Sequence, residues 1–374
     1  MLFRSAAQII PDAIISCNAT VSDIKAIIAV VKAFQNPTSF FYHVGVSLLL
    51  NHREIYHEIT NAVKQYKAGN WYGYGYYCGQ AFATLILGGK STLEESYAEF
   101  LNERVGWEAG IPEIFKGMTM DEITQKYIGA NIDLPEDMIE FDYDNLVSEV
   151  PTSFDARTEW PDCIHPIRDQ GHCGSCWAFA ATETLSDRFC IASKKAIDVI
   201  LSPQWLVSCD NLSLGCNGGF IYQSWTFMEN TGVVTDACAP YASYDGTSVK
   251  CSELKKGCKD GSEMKKYHAK KGSSVNLKNP TSIQNNLMQY GPVDAGFKVY
   301  EDFMYYTGGI YTHKSGSLLG GHAIKIVGWG EENGVKYWIV ANSWGTSWGE
   351  NGFFRIAFGE CGIDSGAVAG QAAV

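Results

Sequence analysis

The 374-residue sequence predicts an α+β fold, with a two-lobed domain that is helical in its first half and strand-rich in its second, preceded by a mainly helical N-terminal module. Three patterns predict it. Cys176 to Ile191 is an unbroken helical run, the main helix of the first half. Val293 to Val299 and Phe353 to Phe358 alternate as half-buried strands do. Asn333-Gly334 separates two further alternating stretches, and Asn-Gly is the preferred pair for a type I′ hairpin turn.

In chain order, residues 1–92 form the N-terminal module. Val21 to Phe34 and Ile55 to Tyr66 are helix-like, and Asn70 to Cys78 is an aromatic and glycine cluster that reads as core or a docking surface. His43, His52 and His57 lack a supporting carboxylate or Cys geometry, so no metal is expected there. Residues 93–150 connect the module to the two-lobed domain, residues 151–374. The connection ends in an acidic run: Asp133 to Glu149 holds seven acidic residues and no Lys or Arg. Such a run is expected to be solvated and extended.

The net charge of −12 argues against nucleic acid as a partner, and 46% hydrophobic content is ample for a core. Twelve cysteines favour a disulfide framework in an oxidising compartment. Asn18-Ala-Thr20 and Asn211-Leu-Ser213 fit the N-glycosylation pattern. Pro11 and Asp12 interrupt the first apolar run, so no signal sequence is evident, and no stretch of about twenty apolar residues predicts a membrane span. A monomer is expected.

Gln170-Gly-His-Cys-Gly-Ser-Cys176-Trp-Ala-Phe179 sets a thiol at the start of an apolar helical run. A thiolate is the reactive form, and the partial positive charge of a helix N-terminus lowers the thiol pKa. Gln170 offers an amide N–H that, with the Cys176 main-chain N–H, can receive the charge developing on an attacked carbonyl oxygen. A redox or metal-binding Cys-x-x-Cys is the competing reading. His322 and Asn342 lie on either side of the hairpin turn, which brings them near each other on adjacent strands. A His close to the thiol takes its proton and later protonates a leaving amine, while an Asn carbonyl fixes the imidazole tautomer. Trp344 is placed to shield that hydrogen bond from water. Cys, His and Asn in this order, after a Gln, outweigh a merely structural His322.

With these motifs the chain resembles the papain-like cysteine peptidases, and among them those of cathepsin B type. The resemblance runs from about Pro151 to the C-terminus, through Ser153-Phe-Asp-Ala-Arg157, the Cys176 segment, Cys216-Asn-Gly-Gly219, Gly291-Pro-Val293 and the His322 and Asn342 segments. It implies a papain-like fold with a helical lobe and a β-barrel-like lobe. It implies Cys176 as nucleophile, His322 as general base and acid, Asn342 as its orienter and Gln170 as oxyanion donor. Gly218 and Gly219 would pair their backbone with an extended substrate, and glycine permits that approach. Disulfides are implied for Cys163 with Cys190, Cys173 with Cys216, Cys209 with Cys251, and Cys238 with Cys258, leaving Cys176 free and Cys361 a buried thiol. Tying Cys173 to Cys216 would deprive Cys176 of a resolving partner, against the redox reading; a Cys17–Cys78 pair stays open. Ser96 to Gly110 resembles the short cathepsin B prosegment. The chain would then be a zymogen inhibited by its own propeptide, acting on peptides and proteins without a cofactor, in a lysosome or vacuole or outside the cell.

Two departures bear on specificity. The interval Cys238 to Cys251 is short and has no His, whereas the family places there a long loop with a His pair that captures a substrate C-terminus. Gly366 stands where the family has an acidic residue at the base of a substrate pocket. The expectation is an endopeptidase preferring an apolar residue at the second position before the cleaved bond. A peptidyl-dipeptidase, a thiol-disulfide oxidoreductase and a non-catalytic binding protein are the alternatives.

Overall fold

The computed structural model describes residues 92–141 and 149–374, together with 63, 64 and 67. The chain divides into two compact units, Met1–Ser91 and Thr92–Val374. In the first, Val63, Lys64 and Lys67 are helical and exposed. The helix expected over Val21 to Phe34, the Asn70 to Cys78 cluster, the three histidines, Asn18 and the Cys17–Cys78 question lie outside the described residues.

The second unit opens with a helix, α1 (Glu95–Asn102), a strand, β1 (Trp107–Ala109), a second helix, α2 (Met120–Tyr127), and a short strand, β2 (Ala130–Asn131). Thr119 and Glu122 close a capping box at the start of α2, satisfying donors that a helix N-terminus leaves open. Asn102 bonds the main chain of Ala109 in both directions, at 2.7 and 2.8 Å, and so fixes the turn from α1 into β1.

The helical lobe follows: α3 (Cys176–Ala192), α4 (Pro203–Cys209), β4 (Gly219–Phe220, after β3 at Phe154–Asp155) and α5 (Ile221–Asn230). Trp177, Trp205, Trp225, Leu185 and Phe189 fill its core. Side chains of α3 are buried from Cys176 through Cys190, polar ones included, because the helix is packed on all sides. The strand-rich lobe holds β5 (Val275–Leu277), α6 (Pro280–Tyr290), β6 (Val293–Tyr300), β7 (Tyr306–Tyr311), β8 (Leu318–Glu332), β9 (Val335–Ala341), β10 (Phe353–Ala357) and β11 (Ala367–Ala369). The strand order is β1-β7-β10-β9-β8-β6-β11-β5, with β3 on β8. In this order the ends, β1 and β5, do not pair with each other, and β1 from the leading segment adds to the β7 edge.

The hairpin forms where expected. Asn333 and Gly334 both have positive φ, 52° and 79°, as a type I′ turn requires, and Glu332 faces Val335. The four implied disulfides are all present, with Cys176 and Cys361 free and buried.

The acidic run corrects an expectation. Its first part is packed, not free in solvent: Phe141 is buried, and Leu134 and Met138 lie against the core. Asn276 donates to Ile139 and accepts from Phe141, and Lys278 pairs with Glu140. Apolar residues spaced between the carboxylates supply a contact face that a charge count does not register. Residues 142–148 are outside the described set.

Candidate active site

Cys176 begins α3 at the floor of the groove between the lobes, and His322 enters from β8 on the opposite wall. The main-chain N–H groups of Ala323, Gly129 and Trp177 donate towards the Cys176 sulfur, so the residue after His322 is in direct contact with the thiol. His322 Nε2 bonds Asn342 Oδ1 at 2.8 Å, which leaves Nδ1, without a hydrogen bond, as the nitrogen able to exchange a proton with the thiol. The Trp344 ring lies 4.8 Å from the imidazole and is itself buried, walling the His–Asn bond from water.

Gln170 is held from both sides of the groove. Its Oε1 accepts from Ser343 Oγ at 2.7 Å, its main-chain N–H donates to the Ser343 carbonyl, and its own carbonyl accepts from Tyr241. Sequence reading missed Ser343 and Tyr241; Ser343 carried a signal only through its place beside Asn342. The amide of Gln170 is not open, as expected for an oxyanion donor. It donates to the carbonyls of Cys173 at 2.9 Å and Tyr127 at 3.2 Å.

Tyr127 belongs to the leading segment, which fills the groove. The Phe115 and Tyr127 rings stand edge-on to Trp344, at 5.4 and 5.7 Å. Gly219 N–H donates to the Gly129 carbonyl at 2.8 Å, and β2 runs parallel to β4. A Cβ on Gly218, at φ 116°, would come within 2.7 Å of that carbonyl, and one on Gly219 would meet the Trp177 ring at 2.3 Å. Gly129 itself passes so close that a Cβ there would fall 2.4 Å from the Gly174 carbonyl. Next along, the Ile132 side chain sits against Gly296 and Gly321, with its carbonyl beside Gly366 and with Ile221 on the same pocket wall. Thus Cys176, His322, Asn342, Gln170, Gly218, Gly219, Trp344 and Gly366 all border one groove.

Burial opposes the thiol acidity expected at a helix start. It pushes the Cys176 thiol up to about 11, against the opposing main-chain donors, and pushes the His322 imidazole down to about 4 despite its bond to Asn342. Both groups are therefore neutral in this form. Among the described residues no set of three His, Cys, Asp or Glu is placed to hold a metal ion.

The papain family cysteine protease model matches residues 150–371. This chain is a papain-family cysteine protease. It is of cathepsin B-like type: it is 41% identical over 282 residues to "Cathepsin B-like CP3" of Giardia intestinalis, a match covering 74% of this chain and 92% of the relative. It is 40% identical over 316 residues to a gut-specific cysteine proteinase of Caenorhabditis elegans, covering 79% and 91%. Its structure matches procathepsin B S9 from Trypanosoma congolense with a TM-score of 0.69 at 31% identity, over 75% of this chain and 99% of that one. Digestive procathepsin L2 from Tenebrio molitor matches at a TM-score of 0.62 and 28% identity, over 74% and 89%. The protease is in its zymogen form, and its leading segment is a prosegment like those of the procathepsins. No helix among the described residues is long and apolar enough to cross a membrane.

Proposed function

We propose that the protease is an endopeptidase kept latent by residues 93–150 and activated by cleavage near residue 150. The observation that carries this reading is the course of Gly129 to Ile132 across the groove, over Cys176 and into the pocket beside Gly366. Departure of the prosegment returns water to Cys176 and His322, which reverses the burial that holds both neutral. The proton passes from Cys176 to His322, with Asn342 holding the ring. The thiolate then bonds to the substrate carbonyl carbon. The charged oxygen is received by the Cys176 main-chain N–H and the Gln170 amide, freed from Tyr127 and steadied by Ser343. His322 protonates the leaving amine, and water then breaks the thioester to release the acid and restore the thiol. Gly218 and Gly219 pair with the substrate backbone, Trp344 shields His322, and residues 1–92 stay a separate module.

Specificity follows from Gly366 and from the short interval after Cys238, in which the Tyr244 carbonyl accepts from the His172 main-chain N–H. Ile132 supports an apolar choice for the pocket. Filling it with Leu or Val gains about 1.5–3 kcal/mol, whereas an unpaired cation loses several. On internally quenched peptides the processed enzyme should favour Leu over Arg at the second position before the cleaved bond, and Gly366→Glu should raise use of the Arg peptide. Equal use of both by the native enzyme overturns the pocket reading, and efficient dipeptide release from free C-termini overturns the endopeptidase reading. The disulfide framework, the exposed Asn211 and the gut-specific relative support a lysosomal, vacuolar or secreted site.

A further inference from the structure

We propose that Lys298, seconded by Lys278, forms a cationic subsite beside the Gly366 pocket that selects an acidic side chain at the third position before the cleaved bond. The inference rests on the assignment of the second position to that pocket.

Lys298 lies on β6 opposite Gly321, two residues beyond Gly296, so it shares the face of the strand that lines the pocket. Its side chain is exposed, and it borders two cavities that flank the prosegment. One, of about 440 Å³, lies between Lys298 and the Gly218–Gly219 wall. The other, of about 510 Å³, joins Lys298 to Lys278 and Gly366. Lys278 is paired only through the prosegment residue Glu140, and Lys298 has no ion pair among the described residues.

The prosegment places carboxylates in the same cavity as these cations. Moving outward from Cys176, Gly129 lies at the thiol, Ile132 fills the pocket, and Asp133 and Glu136 come next, lining the same cavity as the two lysines. The carboxylates thus begin immediately beyond the residue in the pocket. When the prosegment leaves, Lys278 loses Glu140 and both lysines lose their acidic neighbours. Gly366 puts no carboxylate into that wall to replace them. An extended substrate with an apolar residue in the pocket presents its next residue outward, the third before the cleaved bond, to Lys298. A glutamate or aspartate there restores the charge pattern of the zymogen, while a lysine meets repulsion.

The test uses enzyme processed from the full chain and internally quenched peptides that carry Leu at the second position and Glu, Gln or Lys at the third, with rates expressed per titrated active site. Glu should exceed Lys in kcat/KM by roughly two- to fivefold, the scale of exposed ion pairs, and the ratio should shrink with added salt. Lys298→Gln should narrow the ratio and Lys298→Glu should invert it. Equal rates for Glu and Lys in the native enzyme, or a ratio that Lys298→Glu leaves unchanged, overturn the subsite. Leu against Arg at the second position is compared on the same enzyme. A lost Leu preference with the Lys298-dependent Glu preference intact overturns the pocket assignment, whereas a kept Leu preference with no response at the third position overturns the subsite alone.

Discussion

Cys176 occupies the helix start that its sequence context indicates, and in the zymogen burial raises its pKa. A helix N-terminus contributes up to about 2 kcal/mol to holding an anion. Desolvation by burial outweighs the main-chain donors of Ala323, Gly129 and Trp177, and the thiol is pushed up to about 11. Sequence context points to the residue but not to its burial, because Gly129, whose N–H meets the sulfur, lies 47 positions upstream. In the processed enzyme, Cys176→Ala should abolish hydrolysis and labelling by an epoxysuccinyl probe, while Cys361→Ala should keep the label. His322→Ala should lower kcat/KM by about 10²- to 10⁴-fold, the usual worth of a positioned acid-base group. Turnover by Cys176→Ala at the native rate would remove Cys176 from the reaction.

Among the elements, those with local signals were the legible ones. The β8–β9 hairpin declares itself through Asn333-Gly334, and its pairing, which begins at Lys325 and Ala341, leaves His322 and Asn342 just past the ladder, where they bond. The buried charges of α3 have no such signal. Glu183 and Asp187 receive Lys325 from β8 across the lobes, and Asp187 also accepts His165 Nδ1 at 2.6 Å. Each partner is distant in sequence, so a local pattern reads these residues as an exposed face. His165 gives the network a pH dependence. Burial opposes its charge and Lys325 adds to that opposition, but Asp187 and Asp198 outweigh both, and its pKa is raised. A raised folded-state value means stability that is fully present below the unfolded value near 6.5 and is lost as pH rises through the folded value. His165→Gln should therefore lower the melting temperature at pH 5 more than at pH 9, with a cost of about 1.5–3 kcal/mol on the acid side, typical of a hydrogen bond to a charged group. Thermal unfolding of both proteins at the two pH values measures it, and an equal loss at both would remove the charge from the explanation.

At the scale of the whole molecule, peptidase and prosegment are joined by contacts of two kinds that respond differently to salt. Trp107 and Tyr127 pack their rings on Tyr311 and Trp344, β1 extends the sheet, and Ile132 fills its pocket; none of these is an ion pair that salt would screen. The acidic run adds Glu140 on Lys278, with Asp133 and Glu136 near Lys298. An acidic composition announced the second kind and hid the first, since Leu134, Met138 and Phe141 hold the run down between its charges. Added salt screens only the electrostatic part, so processing of the full chain should quicken with ionic strength without needing the prosegment to unfold. Glu140→Gln removes one exposed pair, worth about 0.2–1 kcal/mol, and should speed neutral-pH processing by at most about fivefold. Gly129→Val acts on the other part: its side chain would collide with the Gly174 main chain, which cannot step aside as a flexible side chain can. The uncleaved Gly129→Val chain should take up the epoxysuccinyl probe at neutral pH, where the uncleaved native chain does not. Equal labelling of the two uncleaved chains would mean that the close passage of Gly129 over Cys176 is not what keeps the zymogen silent.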